Sequence, residues 1–173
     1  MIKVIQSIVR VVLALLVMFG FIPWICILLN DLFGLPVYDS LTLKIAGMVL
    51  LATGVCIVVH CAYVLFVKPR QFIPSPTITP ENFIADGLYR FARNPMYLGD
   101  FIIILSIFFL FGHLTLAVYF LAAIAFVHFM VIFKEEKVLE TSFGKEYSTY
   151  REQVPRWVPD FKSRRALSNR ADS

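Results

Sequence analysis

Apolar and polar positions alternate along this chain in long blocks rather than in short periods. The first apolar run extends from Ile8 to Leu29 and carries no charge except Arg10 at its start. A second covers about Ile45 to Val67, a third Pro95 to Phe111 and a fourth Leu114 to Phe133. Runs of this length predict helices that cross a bilayer, since a crossing takes about 20 mostly apolar residues. Only Gly112-His113 separates the last two. A single helix over 95–133 would reach roughly 60 Å at about 1.5 Å per residue, too long for one crossing, so a tight hairpin is expected there. Pro23 lies inside the first run, where it predicts a kink. The expected fold class is therefore all-α: a polytopic membrane protein of four transmembrane helices, with a helical hairpin made of the third and fourth.

Composition agrees with the pattern. Of 173 residues, 59% are hydrophobic and only 16% are charged. That balance excludes a water-soluble globule, which needs a polar surface, and it excludes disorder and a disulfide scaffold. The runs are too long and too uniform for a barrel of alternating strands. On a four-span reading, 15 of the 16 basic residues fall on one side, Lys44 being the exception. The positive-inside rule then puts both termini and the second loop in the cytoplasm. The first run is too long for a cleavable signal peptide, and the C-terminus is no lipidation box. The basic cluster Lys162-Arg164-Arg165 suits anionic lipid headgroups, and nucleic acid is not an expected partner. Cys26, Cys56 and Cys61 all lie in apolar runs at no metal-binding spacing, so no metal site is expected.

The remaining polar residues gather in two segments that flank the hairpin. The first is Gly87-Leu-Tyr-Arg-Phe-Ala-Arg-Asn-Pro-Met-Tyr-Leu-Gly99, where Asn94-Pro95 is a good helix start. The second continues the fourth helix out of the bilayer through Glu135-Glu136. In it Leu139, Phe143, Tyr147 and Tyr150 recur at intervals of 4, 4 and 3, the face of a short cytoplasmic amphipathic helix. Gly144 predicts a break in that helix. Val154 to Pro159 follow, with two prolines to stop it and Trp157 suited to the interface. The hairpin sets Asn94–Asp100 opposite Glu135-Glu136. Two readings stay open from the residues alone: a salt-bridged rim anchoring two helix ends, or a small-molecule site.

At these residues the sequence resembles the isoprenylcysteine carboxyl methyltransferase and phospholipid methyltransferase superfamily of integral membrane enzymes. The resemblance rests on Gly87-Leu88-Tyr89, Arg93-Asn94-Pro95-Met96-Tyr97, Glu135-Glu136 with Leu139, Phe143-Gly144 with Tyr147 and Tyr150, and Pro155-Arg156 with Pro159, in that order. It covers roughly 68–160, which makes 1–67 a pair of leading spans, 68–160 the enzymatic core and 161–173 a basic tail. The resemblance implies S-adenosylmethionine as methyl donor, and a lipid or isoprenoid acceptor drawn from the bilayer. Arg93 and Glu136 are then the catalytic candidates. Tyr89, Asn94, Tyr97, Glu135, Glu136, Leu139 and Tyr147 are the donor-binding candidates, with acids for its ammonium or ribose hydroxyls and Arg93 for its carboxylate. His60, His128 and Arg156 are candidates for the acceptor pocket. Many family members carry His where this chain has Asn94, and Asn does not titrate near neutrality, so a binding role rather than a base is expected there.

Rival classes have their own residues. His60 and His128 sit at matched depth, roughly 8–10 Å below the cytoplasmic surface at about 1.5 Å per residue, as two haem ligands would. A four-helix transporter needs a membrane-embedded acid, and Asp100 is the one acid inside an expected span. A catalytically inactive structural member of the family is a third possibility.

Overall fold

The structure is a computed structural model that describes residues 2–66 and 86–158. The described residues form seven α-helices, interrupted or joined by two π-helical turns and one 3₁₀ turn. They are α1 (Ile2–Leu16), α2 (Ile22–Leu32), α3 (Leu41–Phe66), α4 (Pro95–Phe111), α5 (Leu114–Met130), α6 (Glu136–Phe143) and α7 (Lys145–Gln153). No strand occurs among them beyond an isolated bridge between Val37 and His113.

Three helical stretches are long and apolar enough to cross a membrane: Val12–Leu32, Leu41–Leu65 and Leu114–Phe143. The fourth expected span, α4, is a 17-residue helix of about 25 Å, shorter than a full crossing requires. Large apolar side chains such as Leu16, Phe21, Trp24, Leu121 and Phe126 are exposed along these helices, a surface that belongs in hydrocarbon. The chain is a multi-pass membrane protein.

Two compact units divide the chain: residues 1–53 with 101–124, and residues 54–100 with 125–173. Neither is continuous in sequence, because α3, α4 and α5 each contribute to both. The boundaries expected at 67–68 and 160–161, and the basic tail, lie outside the described residues.

The first unit shows what Pro23 does. It occupies the second position of α2, and the π turn Val17–Phe21 comes directly before that helix. The amide of Ile22 donates to the Val17 carbonyl, five residues back. Proline has no amide to offer, so neither residue serves the Met18 carbonyl within the helix. The Tyr119 hydroxyl fills the gap, donating to Met18 O at 2.8 Å. At the other end of α2, Asn30 is fully buried. Its amide donates to Leu35 O at 3.0 Å, and its carbonyl accepts from the Thr115 amide at 3.3 Å. The hairpin turns at Gly112, whose φ is +70° and whose carbonyl accepts from the Tyr38 amide at 2.9 Å. A side chain there would meet the Tyr38 backbone, so the expected two-residue turn needs its glycine.

In the second unit α3 and α4 pack closely at Gly99. A Cβ at that position would lie 2.8 Å from Val58 and 3.2 Å from the Gly54 carbonyl oxygen. Cys61, Val64 and Tyr89 form one buried apolar cluster. Tyr147, Tyr150 and Val154 form another, with Leu139 and Phe143 against it. The aromatic face expected on one amphipathic helix is thus real, but two helices share it. Gly144, at φ +51°, separates α6 from α7.

Candidate functional site

The second unit brings both polar segments together. A π turn, Val131–Glu135, ends the apolar part of the fifth helix. Such a turn takes in one extra residue. Glu135 and Glu136 are adjacent, and in a regular α-helix adjacent side chains point about 100° apart. Here both find partners inside the protein. Glu135 accepts a hydrogen bond from the Tyr97 hydroxyl on α4. Glu136 is buried and takes two arginines.

The Glu136 site is a triad. Arg156 Nε donates to Glu136 Oε1 at 2.6 Å, and Arg156 Nη2 to Oε2 at 2.9 Å, a two-pronged pairing. Arg93 Nη1 lies 3.0 Å from the same Oε1 and also donates to the Tyr147 hydroxyl at 3.3 Å. The bond to Glu136 raises the Arg156 pKa, so its charge is secure. Two positive groups share one carboxylate, and the triad carries a surplus positive charge. Arg93 Nε is buried and has no hydrogen-bond partner.

A second set of bonds fastens the C-terminal segment to the start of α4. The Arg93 amide donates to Pro155 O at 2.9 Å. The Asn94 side-chain amide donates to Arg156 O at 3.3 Å. The Tyr150 hydroxyl donates to Tyr89 O at 2.7 Å. Asn94 therefore holds the segment that carries Arg156, a task that a hydrogen-bonding amide performs without titrating.

Hydrogen bonds and ion pairs sort the candidate residues into groups. Arg93, Asn94, Glu136, Tyr147 and Arg156 come together, as do Tyr97 and Glu135. Tyr147 is 1% exposed and packs with Tyr150 and Val154, while Tyr89 belongs to the cluster around Cys61. Leu139 packs at the edge of the Tyr147 cluster. Burial pushes the Tyr89, Tyr147 and Tyr150 hydroxyls above the ordinary tyrosine range, so all three stay protonated. Arg156, expected in the acceptor pocket, is committed to Glu136. His60 is exposed, with Nε2 beside Gly87. His128 accepts at Nδ1 from Trp157 Nε1 at 3.0 Å. The two histidines thus take separate neighbours. The Trp157–His128 bond and the docking of Tyr150 on Tyr89 O were not foreseen, because no local pattern announces a contact over such separations.

Residues 42–146 match the family model described as phospholipid methyltransferase. The chain belongs to that family. Among curated relatives of this phospholipid methyltransferase family member is methanethiol S-methyltransferase 1 of Bradyrhizobium diazoefficiens, 31% identical over 119 residues, which are 68% of this chain and 40% of the relative. Methanethiol S-methyltransferase of Crocosphaera subtropica is 32% identical over 82 residues, 47% of this chain and 31% of the relative. Protein-S-isoprenylcysteine O-methyltransferase of Schizosaccharomyces pombe is 33% identical over 76 residues, 44% and 32% respectively. The matches span 31–40% of those relatives' lengths. No solved structure matches the chain.

Proposed function

We propose that the protein is a membrane methyltransferase that takes its methyl group from S-adenosylmethionine and passes it to an amphiphilic acceptor entering from the bilayer. The observation that carries this reading is the unpartnered Arg93 Nε, buried in a guanidinium that is paired with Glu136. A buried N–H donor without a partner costs about 1–3 kcal/mol, which a ligand's carboxylate would offset. Glu135 accepts from Tyr97 through Oε1, and its other oxygen has no hydrogen-bond partner among the described residues. An amino-acid carboxylate and ammonium, as the methionyl end of the donor presents, fit those two groups.

When bound, S-adenosylmethionine supplies a methyl group activated by a sulfonium. The chain's own residues bind and position. Arg93 holds the carboxylate and Glu135 the ammonium. Glu136 and Arg156 keep the Arg93 guanidinium in place, and Asn94 ties the Arg156 segment to α4. In-line displacement rewards such positioning more than any other contribution. The charge bias along the sequence supports a site on the cytoplasmic side, with both termini on that side.

Calorimetry of the detergent-solubilised full chain with S-adenosylmethionine tests the reading. Saturable binding is expected, weakened roughly tenfold or more in Arg93→Ala, as for loss of a charged hydrogen bond. A folded sample that binds no donor at millimolar concentration overturns it.

A further inference from the structure

Asp100 is the one acid in α4, and the bonds described so far do not use it. It is 9% exposed, and its Oδ1 is fully covered without a hydrogen-bond partner. Among the described residues no lysine, arginine or histidine pairs with it. Titratable groups within its electrostatic reach include Cys61 of α3 and Tyr97 of α4. Behind these stand Tyr89, hydrogen-bonded to Cys61, and Glu135, hydrogen-bonded to Tyr97. An unpaired carboxyl in an apolar helix is costly, and such a group marks a functional position. Asp100 is the sixth residue of α4, roughly 8 Å along the helix at about 1.5 Å per residue and one turn beyond Tyr97.

We propose that Asp100 is the base that takes the proton from the methyl acceptor, and that the acceptor is therefore a thiol or an amine rather than a carboxylate. The inference rests on the methyltransferase reading and names the substrate class of that site. A carboxylate acceptor has no proton to lose at neutral pH, whereas a neutral thiol or an amine must release one. As the nucleophilic atom bonds to the methyl carbon, the carbon–sulfur bond breaks with its electron pair left on sulfur. The proton on the nucleophile then passes to the Asp100 carboxylate, and the departing thioether is neutral. Around Asp100 the Cys61 thiol and the Tyr97 phenol, with Glu135 bonded to Tyr97, offer no cation to an anionic head.

The test uses the full chain in nanodiscs with labelled donor and three acceptors: a short alkyl thiol, vesicles of an ethanolamine-headed lipid, and an isoprenoid carboxylate. Turnover of the thiol or the amine lipid is expected. Asp100→Asn should keep its donor affinity by calorimetry and lose roughly 100-fold or more in kcat. The lost rate should return by about tenfold per pH unit as the acceptor ionises unaided. Asp100→Ser serves if the Asn variant does not fold. Turnover of the carboxylate alone, or a folded variant within threefold of the parent rate, overturns the inference while donor binding stands. Absence of donor binding overturns the methyltransferase reading itself.

Discussion

The indole nitrogen of Trp157 donates to Nδ1 of His128 across 3.0 Å. Indole can only donate, so Nδ1 must be the acceptor, and a neutral His128 carries its proton on Nε2. Trp157→Phe keeps an aromatic ring there and removes the donor. Nitrogen chemical shifts of the imidazole should show the single Nε2–H tautomer in the parent chain and a mixture in the variant. The same mixture in both would mean that Trp157 does not set the tautomer.

Glu136→Ala strands two guanidiniums. Arg93 keeps 9% of its side chain exposed and Arg156 28%, so neither regains full hydration. Breaking a buried pair by removing one partner costs about 3–5 kcal/mol, and the partial exposure of Arg156 argues for the lower end. Thermal melting in detergent should fall accordingly. Adding Arg156→Met to Glu136→Ala should cost less than the two single losses together. Strict additivity would mean that the pair is not coupled.

Alkaline pH should unfold the protein through its buried phenols. Burial raises the Tyr89, Tyr147 and Tyr150 pKa values in the folded state, while in the unfolded chain these hydroxyls ionise near the usual value of about 10. Below that pH both states hold the protons, and the folded state keeps its full stability. Above it the unfolded state releases them first, so stability falls as pH rises. Melting temperatures measured at pH 8 and pH 11 should differ in that direction. Tyr150→Phe should shrink the difference, and an unchanged difference would remove Tyr150 from the account.

Tyr119→Phe should expose the weakness of the π turn at Val17–Phe21. The Met18 carbonyl loses the hydroxyl that serves it, inside an apolar helix. The expected cost is about 1–3 kcal/mol, readable in a denaturation titration. Tyr119→Phe at parent stability would show that another group can serve that carbonyl.

Much of this architecture can be read from the chain because it is written in local signals. Four apolar runs mark the helices, Gly112 marks the hairpin and Gly144 the break between α6 and α7. The two π turns are harder to see, since each shifts the pattern by a single residue. Pro23 hints at the first. At the second, nothing in Val131–Glu135 announces the turn, and only the structure shows Glu135 and Glu136 both partnered inside the protein. Pairings across long separations were legible only as proximity. Arg156 and Glu136 lie 20 residues apart, past a glycine break, and their two-pronged bond depends on where Asn94 and Arg93 fasten the terminal segment. Asp100 was visible as an isolated acid in an apolar run. That it stays without a partner once folded is a tertiary fact.

The π turn at Val131–Glu135 also works as a register device. It holds one residue more than the α-helix on either side would need. Deleting a single residue there would close it to ordinary helix and leave both flanking helices chemically intact. Everything downstream would then keep its direction, because the wide turn had already absorbed the extra residue. A residue gained or lost with no such turn to absorb it would instead rotate all that follows by about 100° and shift it by about 1.5 Å, swinging Glu136 off its arginines. One amino acid of slack thus separates the requirements of the lipid-facing helix from those of the polar end, and each can vary in sequence without dragging the other along.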